Sequence, residues 1–276
     1  MSNIEDSASL ETIIEHFIDL AKERRGYIRS YYYWKKLQNI SYFIKKEVER
    51  REGLIRVIDV GCGLGSDIFY LNRMLNKNNI EFLGVDLNPS WIYFCNLKKE
   101  RYQTDNVKFV VGNAESLNIP ENSFDILLSV EVLEHLEKPS QAVKSFYRVL
   151  KPRGLAIITT PNEDNPISKV KKLLTLKSSK TKSKTFKSED LSYEGNSREV
   201  GYGHISVKSL YEWIRIFNEC KFKVEEILRG SILYGTPKQD YQRVIFAIAL
   251  LVEALLDRLN LWENLSEEVS ISLRKV

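Results

Sequence analysis

Cysteine, histidine and methionine are scarce in this chain: its 276 residues include three Cys, three His and two Met. Cys62, Cys95 and Cys220 are odd in number, far apart and never arranged as Cys-x-x-Cys. That excludes a disulfide framework or a zinc ribbon as the organising device, and reduced thiols are expected. Imidazole chemistry is confined to His16, His135 and His204. No apolar run approaches the ~20 residues that span a bilayer. The most apolar stretch, VIFAIALLV, ends at Glu253, and the next is cut at Asp257. The segment MSNIEDSASLETIIEHF is acidic and lacks the basic and apolar regions of a secretory signal, so cytoplasmic residence is expected.

Excess positive charge is confined to one segment. Lys169 to Lys187 (KVKKLLTLKSSKTKSKTFK) carries eight lysines and no acid, and removing those eight from the formal net charge of +4 leaves the remainder at −4. A nucleic-acid-binding domain draws its basic face from several elements, so nucleic acid is not the expected partner. The Lys/Ser/Thr-rich composition reads first as a solvated loop.

Apolar residues, at 43% of the chain, suffice for one large α/β domain with decorations. From Ser9 to about Glu52 they recur at helical spacing, as in Ile13, Ile14, Phe17, Ile18 and again Leu37, Ile40, Phe43, Ile44. This sets a helical amino-terminal cover, 1–52, before a domain over 53–276. The aromatic stretch YIRSYYYWKKL (Tyr27 to Leu37) reads as helix docking rather than as a pocket cover. Short apolar runs then alternate with helical patterns: Arg56 to Val60, Phe82 to Asp86, Val107 to Val111, Phe124 to Ser129 and Leu155 to Thr160. That alternation predicts βαβ units and a mostly parallel, doubly wound sheet. A Lys-rich insert (165–200) follows. After it come a helix over Val207 to Cys220, a strand near Val224 to Leu228, an apolar helix (241–260, centred on Val244 to Leu259) and a last strand, VSISL, from Val269 to Leu273. For the apolar helix, burial, a dimer contact and shallow membrane insertion stay open, with homodimerisation preferred to peripheral membrane contact.

The sharpest local signal is VIDVGCGLGSD, Val57 to Asp67, where a strand runs into a glycine turn and then a helical pattern. Glycines permit the turn and a close backbone approach to a ligand, and the helix offers its positive end. Gly61, Gly63 and Gly65 follow G-x-G-x-G behind Asp59, not the G-x-x-G ending of a dinucleotide fingerprint, which disfavours NAD and an oxidoreductase. Asp86 ends the next strand about 20 residues later, where a ribose-binding acid belongs.

This stretch resembles motif I of the class I S-adenosylmethionine-dependent methyltransferases. With FLGVDLNP, VVGNAESLNIPENSFD, FDILLSVEVLEHL, RVLKPRGLAIITTPN and GHISVKSLYEWIRIFNECKF, the resemblance runs from Arg56 to Leu228 and points to the small-molecule, type 11-like branch, similar to the ubiquinone-pathway O-methyltransferases. It implies a seven-strand Rossmann-like fold and an S-adenosylmethionine site drawn from Asp59, Gly61, Cys62, Gly63, Gly65, Asp86, Leu87, Asn113, Ala114 and Ser129. Asn113 stands where the family more often has aspartate. Its amide oxygen can still accept the adenine amino proton, without the charge-assisted part of that bond.

The implied reaction is methyl transfer, with a hydroxyl oxygen of a small molecule, sugar or lipid-linked group as the first expected acceptor. Carbon, nitrogen and RNA ribose stand behind it, and a catalytically silent cofactor-binding subunit or scaffold is the rival of another class. In SVEVLEHLEKP (Ser129 to Pro139), a helical turn would place Glu131, Glu134 and His135 on one face at i, i+3 and i+4, with His204 arriving from YGHIS. These four are the candidate catalytic residues. They are also candidate ligands for Mg, Mn or Zn, since the run resembles the metal site of small-RNA 2′-O-methyltransferases. An unassisted histidine base and a structural role are the alternatives.

Overall fold

The computed structural model describes residues 27–162, 165, 205–231, 250, 251, 255, 266 and 268–276. His16, His204, the helical pattern before Tyr27 and the Lys169 to Lys187 segment lie outside the described residues. Of the apolar helix, Leu250, Leu251 and Leu255 are described, all helical. Among the described residues no helix is long and apolar enough to cross a membrane.

The described residues open with helix α1 (Tyr27–Val48), followed by β1 (Ile55–Val60), α2 (Ser66–Leu75), β2 (Ile80–Asp86), α3 (Pro89–Tyr102) and β3 (Val107–Val111). Next come β4 (Phe124–Val130), α4 (Pro139–Val149), β5 (Leu150–Pro161), α5 (Leu210–Glu219), β6 (Phe222–Arg229) and β7 (Glu268–Lys275). Six of the strands stand where the alternation of apolar runs predicts them, and VSISL falls inside the seventh. The helix expected over Val207 to Cys220 starts only at Leu210, because Ser209 closes a capping box with Glu212: Ser209 Oγ accepts from the Glu212 amide, and the Glu212 carboxylate accepts from the Ser209 amide.

The seven strands form one sheet in the order β3-β2-β1-β4-β5-β7-β6. The first five pair in parallel, with Val57 opposite Phe82 and Ile126. Only β7, slotted between β5 and β6, runs antiparallel to both neighbours. FDILLSV in β4 is buried from Phe124 to Ser129 because helices cover both faces of this central strand. On one face Phe146, Trp213 and Phe217 pack from α4 and α5, and on the other Ile40, Ile44, Ile68 and Leu71 pack from α1 and α2. Helix α1 is built into the second layer through Leu37, Ile40, Phe43 and Ile44, and Asn39 Nδ2 donates to Arg229 O at 2.9 Å. The strand order reverses between β1 and β4, and a doubly wound sheet opens its ligand crevice at the carboxyl ends of such a pair.

Candidate functional site

Both singled-out motifs emerge at that reversal, the glycine loop from β1 and SVEVLEH from β4. Gly61 has φ 81°, open to glycine without strain, and a Cβ there would run into the Val132 side chain, so the two loops touch at this point. Gly63, also left-handed at φ 52°, faces open space: the nearest heavy atom to a Cβ built there is Trp91 Cε3 at 4.0 Å. The loop hangs on β2, since the amides of Gly61 and Cys62 both donate to Val85 O, at 2.7 and 3.0 Å.

Asp86 ties the crevice together. Its Oδ2 accepts from the Gly63 amide at 2.8 Å and its Oδ1 from the Asn88 amide at 2.9 Å. Asp86 does not cap α3. Asn88 does, accepting from the amides of Ser90 and Trp91. Each carboxylate oxygen therefore retains acceptor capacity beyond one backbone amide. Asp59 is buried, and its Oδ1 has no hydrogen-bond partner among the described residues. Burial, then the charges of Asp67 and Asp86, push its carboxyl well above the usual range. Leu87 is exposed beside Asp86. On the third strand's loop, Asn113 Oδ1 accepts from the Glu115 amide at 2.9 Å, and Ala114 opens a single 3-10 turn. Ser129, fully buried, has a hydroxyl with no hydrogen-bond partner among the described residues.

An orphaned acid at the end of β1, a half-used carboxylate at the end of β2 and open space over a glycine carbonyl-and-amide turn match a ligand rich in hydroxyl and ammonium donors with a flat base. S-adenosylmethionine is such a ligand, and the residues present fit it.

The second motif departs from the helical expectation. Glu131 sits at φ 55°, its amide held by Thr159 O and Oγ1 at 3.2 and 3.1 Å, and the only helical turn is a 3-10 turn from Leu133 to His135. Glu131, Glu134 and His135 thus do not share a helix face. Glu134 turns fully inward and neither of its carboxylate oxygens has a hydrogen-bond partner among the described residues, while its backbone O accepts from the amides of Ile205 and Ser206. Burial, reinforced by Glu131, pushes its carboxyl up. His135 Nε2 stands 4.0 Å from Glu134 Oε1 at the rim.

The charge partner of this cluster is Lys36, which the sequence reading passed over. Its Nζ is 3.9 Å from Glu131 Oε1 and 3.7 Å from Glu268 Oε2, and it lies over the rings of Tyr32 and Tyr33 at 5.1 and 4.7 Å from their centroids. Burial opposes its charge, but Glu131 and Glu268 outweigh burial and hold the ammonium above its ordinary range. Glu268, at the first residue of β7 and opposite Pro161, is fully buried. Burial, only partly offset by Lys36, raises its pKa to about 8. The expected divalent-cation site is not supported. Among the described residues no three His, Cys, Asp or Glu side chains converge on a metal position, and an ammonium stands between Glu131 and Glu268, where a cation would have to compete with it. A buried lysine four residues after a tyrosine on the docking face was the available signal for Lys36. Nothing local marks Glu268.

A family model described as a methyltransferase domain matches residues 52–227, more than half of the chain. Phosphoethanolamine N-methyltransferase 1 of Arabidopsis thaliana is 32% identical over 104 residues, 38% of this chain and 20% of that protein. Phthiotriol/phenolphthiotriol dimycocerosates methyltransferase 1 of Mycobacterium ulcerans (strain Agy99) is 34% identical over 113 residues, 41% of this chain and 40% of that protein. The chain thus spans well under half the length of these curated relatives. Among solved structures, geranyl diphosphate methyltransferase in complex with SAM superposes with a TM-score of 0.58 at 14% identity, over 86% of this chain and 84% of that one. The [4+2]-cyclase SpnF superposes with a TM-score of 0.52 at 18% identity, over 85% and 80%. At these identities the structural likeness speaks for the fold alone.

Proposed function

The chain belongs to the methyltransferase domain family, and we propose that it uses S-adenosylmethionine to methylate a hydroxyl oxygen of a small-molecule, sugar or lipid-linked acceptor. When bound, S-adenosylmethionine supplies a methyl group on a sulfonium, already a good electrophile. The protein's task is then alignment and disposal of the acceptor's proton.

In this reading Asp86 takes the ribose hydroxyls on the acceptor capacity left beside the Gly63 and Asn88 amides. Asp59 takes the ammonium end of the cofactor. Gly61, Cys62, Gly63 and Gly65 form the close-approach turn, and Leu87, Asn113, Ala114 and Ser129 line the rest. Asn113 uses its second lone pair for the base, since the first serves Glu115. The observation that carries the acceptor assignment is the carboxylate group at the carboxyl edge of the sheet: Glu131 and the buried Glu268 flank the Lys36 ammonium, and the buried Glu134 beside them has carboxylate oxygens unpartnered among the described residues. The Glu134 carboxyl, pushed up by burial, suits exchanging a proton with a hydroxyl. We assign that task to Glu131 and Glu134, with His135 at the rim; His204, the fourth candidate, lies outside the described residues. No step passes through a divalent cation.

Nitrogen is the second reading, favoured by the relatives named as phosphoethanolamine N-methyltransferases. Incubating the protein with methyl-labelled S-adenosylmethionine and fractionated cell extract, then identifying the labelled product by mass spectrometry and NMR, separates the two. A methoxy product supports the proposal, whereas label on nitrogen or carbon sinks it.

A further inference from the structure

Cys62 and Cys95, 33 positions apart in the chain, share one hydrogen-bond acceptor. Gly63 O lies 3.8 Å from Cys62 Sγ and 3.3 Å from Cys95 Sγ. The two sulfurs also occupy the space left by two glycines. A Cβ on Gly84 would stand 2.9 Å from the Cys62 sulfur, and one on Gly65 would stand 3.2 Å from the Cys95 sulfur. Cys62 is in the glycine loop at 9% exposure, and Cys95 lies behind it on α3, fully buried. Lys98, three residues further along α3, fixes its ammonium on Leu64 O at 3.2 Å. The pair is thus enclosed by the loop, by α3 and by a cation, and no step of methyl transfer uses it.

We propose that Cys62 and Cys95 form a dithiol modification site that takes a peroxide and closes to a disulfide, releasing the cofactor loop from its binding conformation. The proposal rests on the reading of that loop as the S-adenosylmethionine cradle. The chemistry balances. The Cys95 sulfur, as thiolate, attacks one peroxide oxygen, and the O–O bond breaks to leave a sulfenic acid and hydroxide, which joins the proton Cys95 gave up to form water. The Cys62 sulfur then attacks the Cys95 sulfur, the S–O bond breaks, and the Cys62 proton leaves with the hydroxyl as a second water. In all, two thiols are oxidised and one peroxide is reduced.

Polarity within the pair favours this order. The neighbouring Cys95 sulfur and burial push the Cys62 thiol up, while the neighbouring Cys62 sulfur and the charge of Lys98 hold the Cys95 thiol down. An S–S bond of about 2.05 Å is much shorter than a non-bonded contact between sulfurs. Closing it draws Cys62 toward α3 and pulls on both flanking glycines, including the Gly63 amide that rests on Asp86.

The test uses the full, reduced chain without cofactor, treated with hydrogen peroxide and followed by intact mass, peptide mapping and calorimetry with S-adenosylhomocysteine. The expected result is loss of two hydrogens, a peptide linking Cys62 to Cys95, and binding weakened by about tenfold or more, restored by dithiothreitol. Cys95→Ser should keep both its mass and its affinity under peroxide, and Cys220→Ser should respond like the parent. Oxygen addition to the thiols without a link, a link with unchanged affinity, or equal loss of affinity in Cys95→Ser would overturn the proposal. The mass readout does not depend on the cofactor. A link in a protein whose reduced form takes up no S-adenosylhomocysteine would identify the cradle assignment as the failure, and with it the proposed release.

Discussion

Lys36 and Glu268 meet 3.7 Å apart at the carboxyl edge of the sheet, both buried, although 232 positions separate them in the chain. One comes from helix α1 and the other from the first residue of the antiparallel strand β7. Their contact, with Glu131 at 3.9 Å on the other side of the ammonium, joins the amino-terminal helix to the loop after β4.

Removing the cation from this group leaves buried carboxylates uncompensated. Lys36→Met should destabilise the fold by about 3 kcal/mol, the order expected when one partner of a buried ion pair is deleted. Urea unfolding measures the loss, and Lys36→Met combined with Glu268→Gln should recover a substantial part of it. Full additivity of the two changes would mean that the residues do not sense one another.

The same group sets a pH dependence. Burial raises the Glu268 pKa to about 8 in the folded chain, above its ordinary value. The folded state therefore binds more protons than the unfolded chain between the two values. Its contribution to stability is complete below the ordinary carboxyl range and is lost as pH rises toward about 8. Unfolding free energy measured across that interval should fall with pH, and Glu268→Gln should flatten the decline. Tyr32, Tyr33, Lys36, Glu131 and Glu134 face or act on the same position, so the comparison is with the variant rather than with a fixed slope.

Gly61→Ala tests the joint between the two loops. The residue would be forced to φ 81° with its methyl group against Val132, a cost of at least about 2 kcal/mol from the backbone alone. Loss of S-adenosylhomocysteine binding is expected with the secondary structure intact. Adding Val132→Ala should relieve the contact but not the backbone strain, so affinity should return only in part. Complete return would place the whole effect in the side-chain clash.

Much of the fold was legible in the sequence because it is written locally. Continuous apolar runs mark the parallel strands, the glycine spacing marks the turn after β1, and Asp86 stands at the end of β2 where its spacing puts it. The antiparallel placement of β7 between β5 and β6 leaves no such trace, because VSISL alternates in the same way in either direction. The helical reading of Glu131, Glu134 and His135 failed for a definite reason: Thr159 holds the Glu131 amide and fixes it at φ 55°, so the helical turn begins two residues later. Spacing also could not disclose Lys36 and Glu268, whose meeting is a property of the sheet order, nor the approach of Cys62 to Cys95, which depends on how α3 packs under the loop.

The central claim is that Asp86 and the glycine loop hold S-adenosylmethionine, and titration calorimetry of the parent chain and Asp86→Ala with S-adenosylhomocysteine tests it most directly. The account predicts one site on the parent, no comparable binding of NAD, and affinity reduced by about a hundredfold in the variant, whose circular dichroism should be unchanged. Equal affinity in Asp86→Ala and the parent would contradict it.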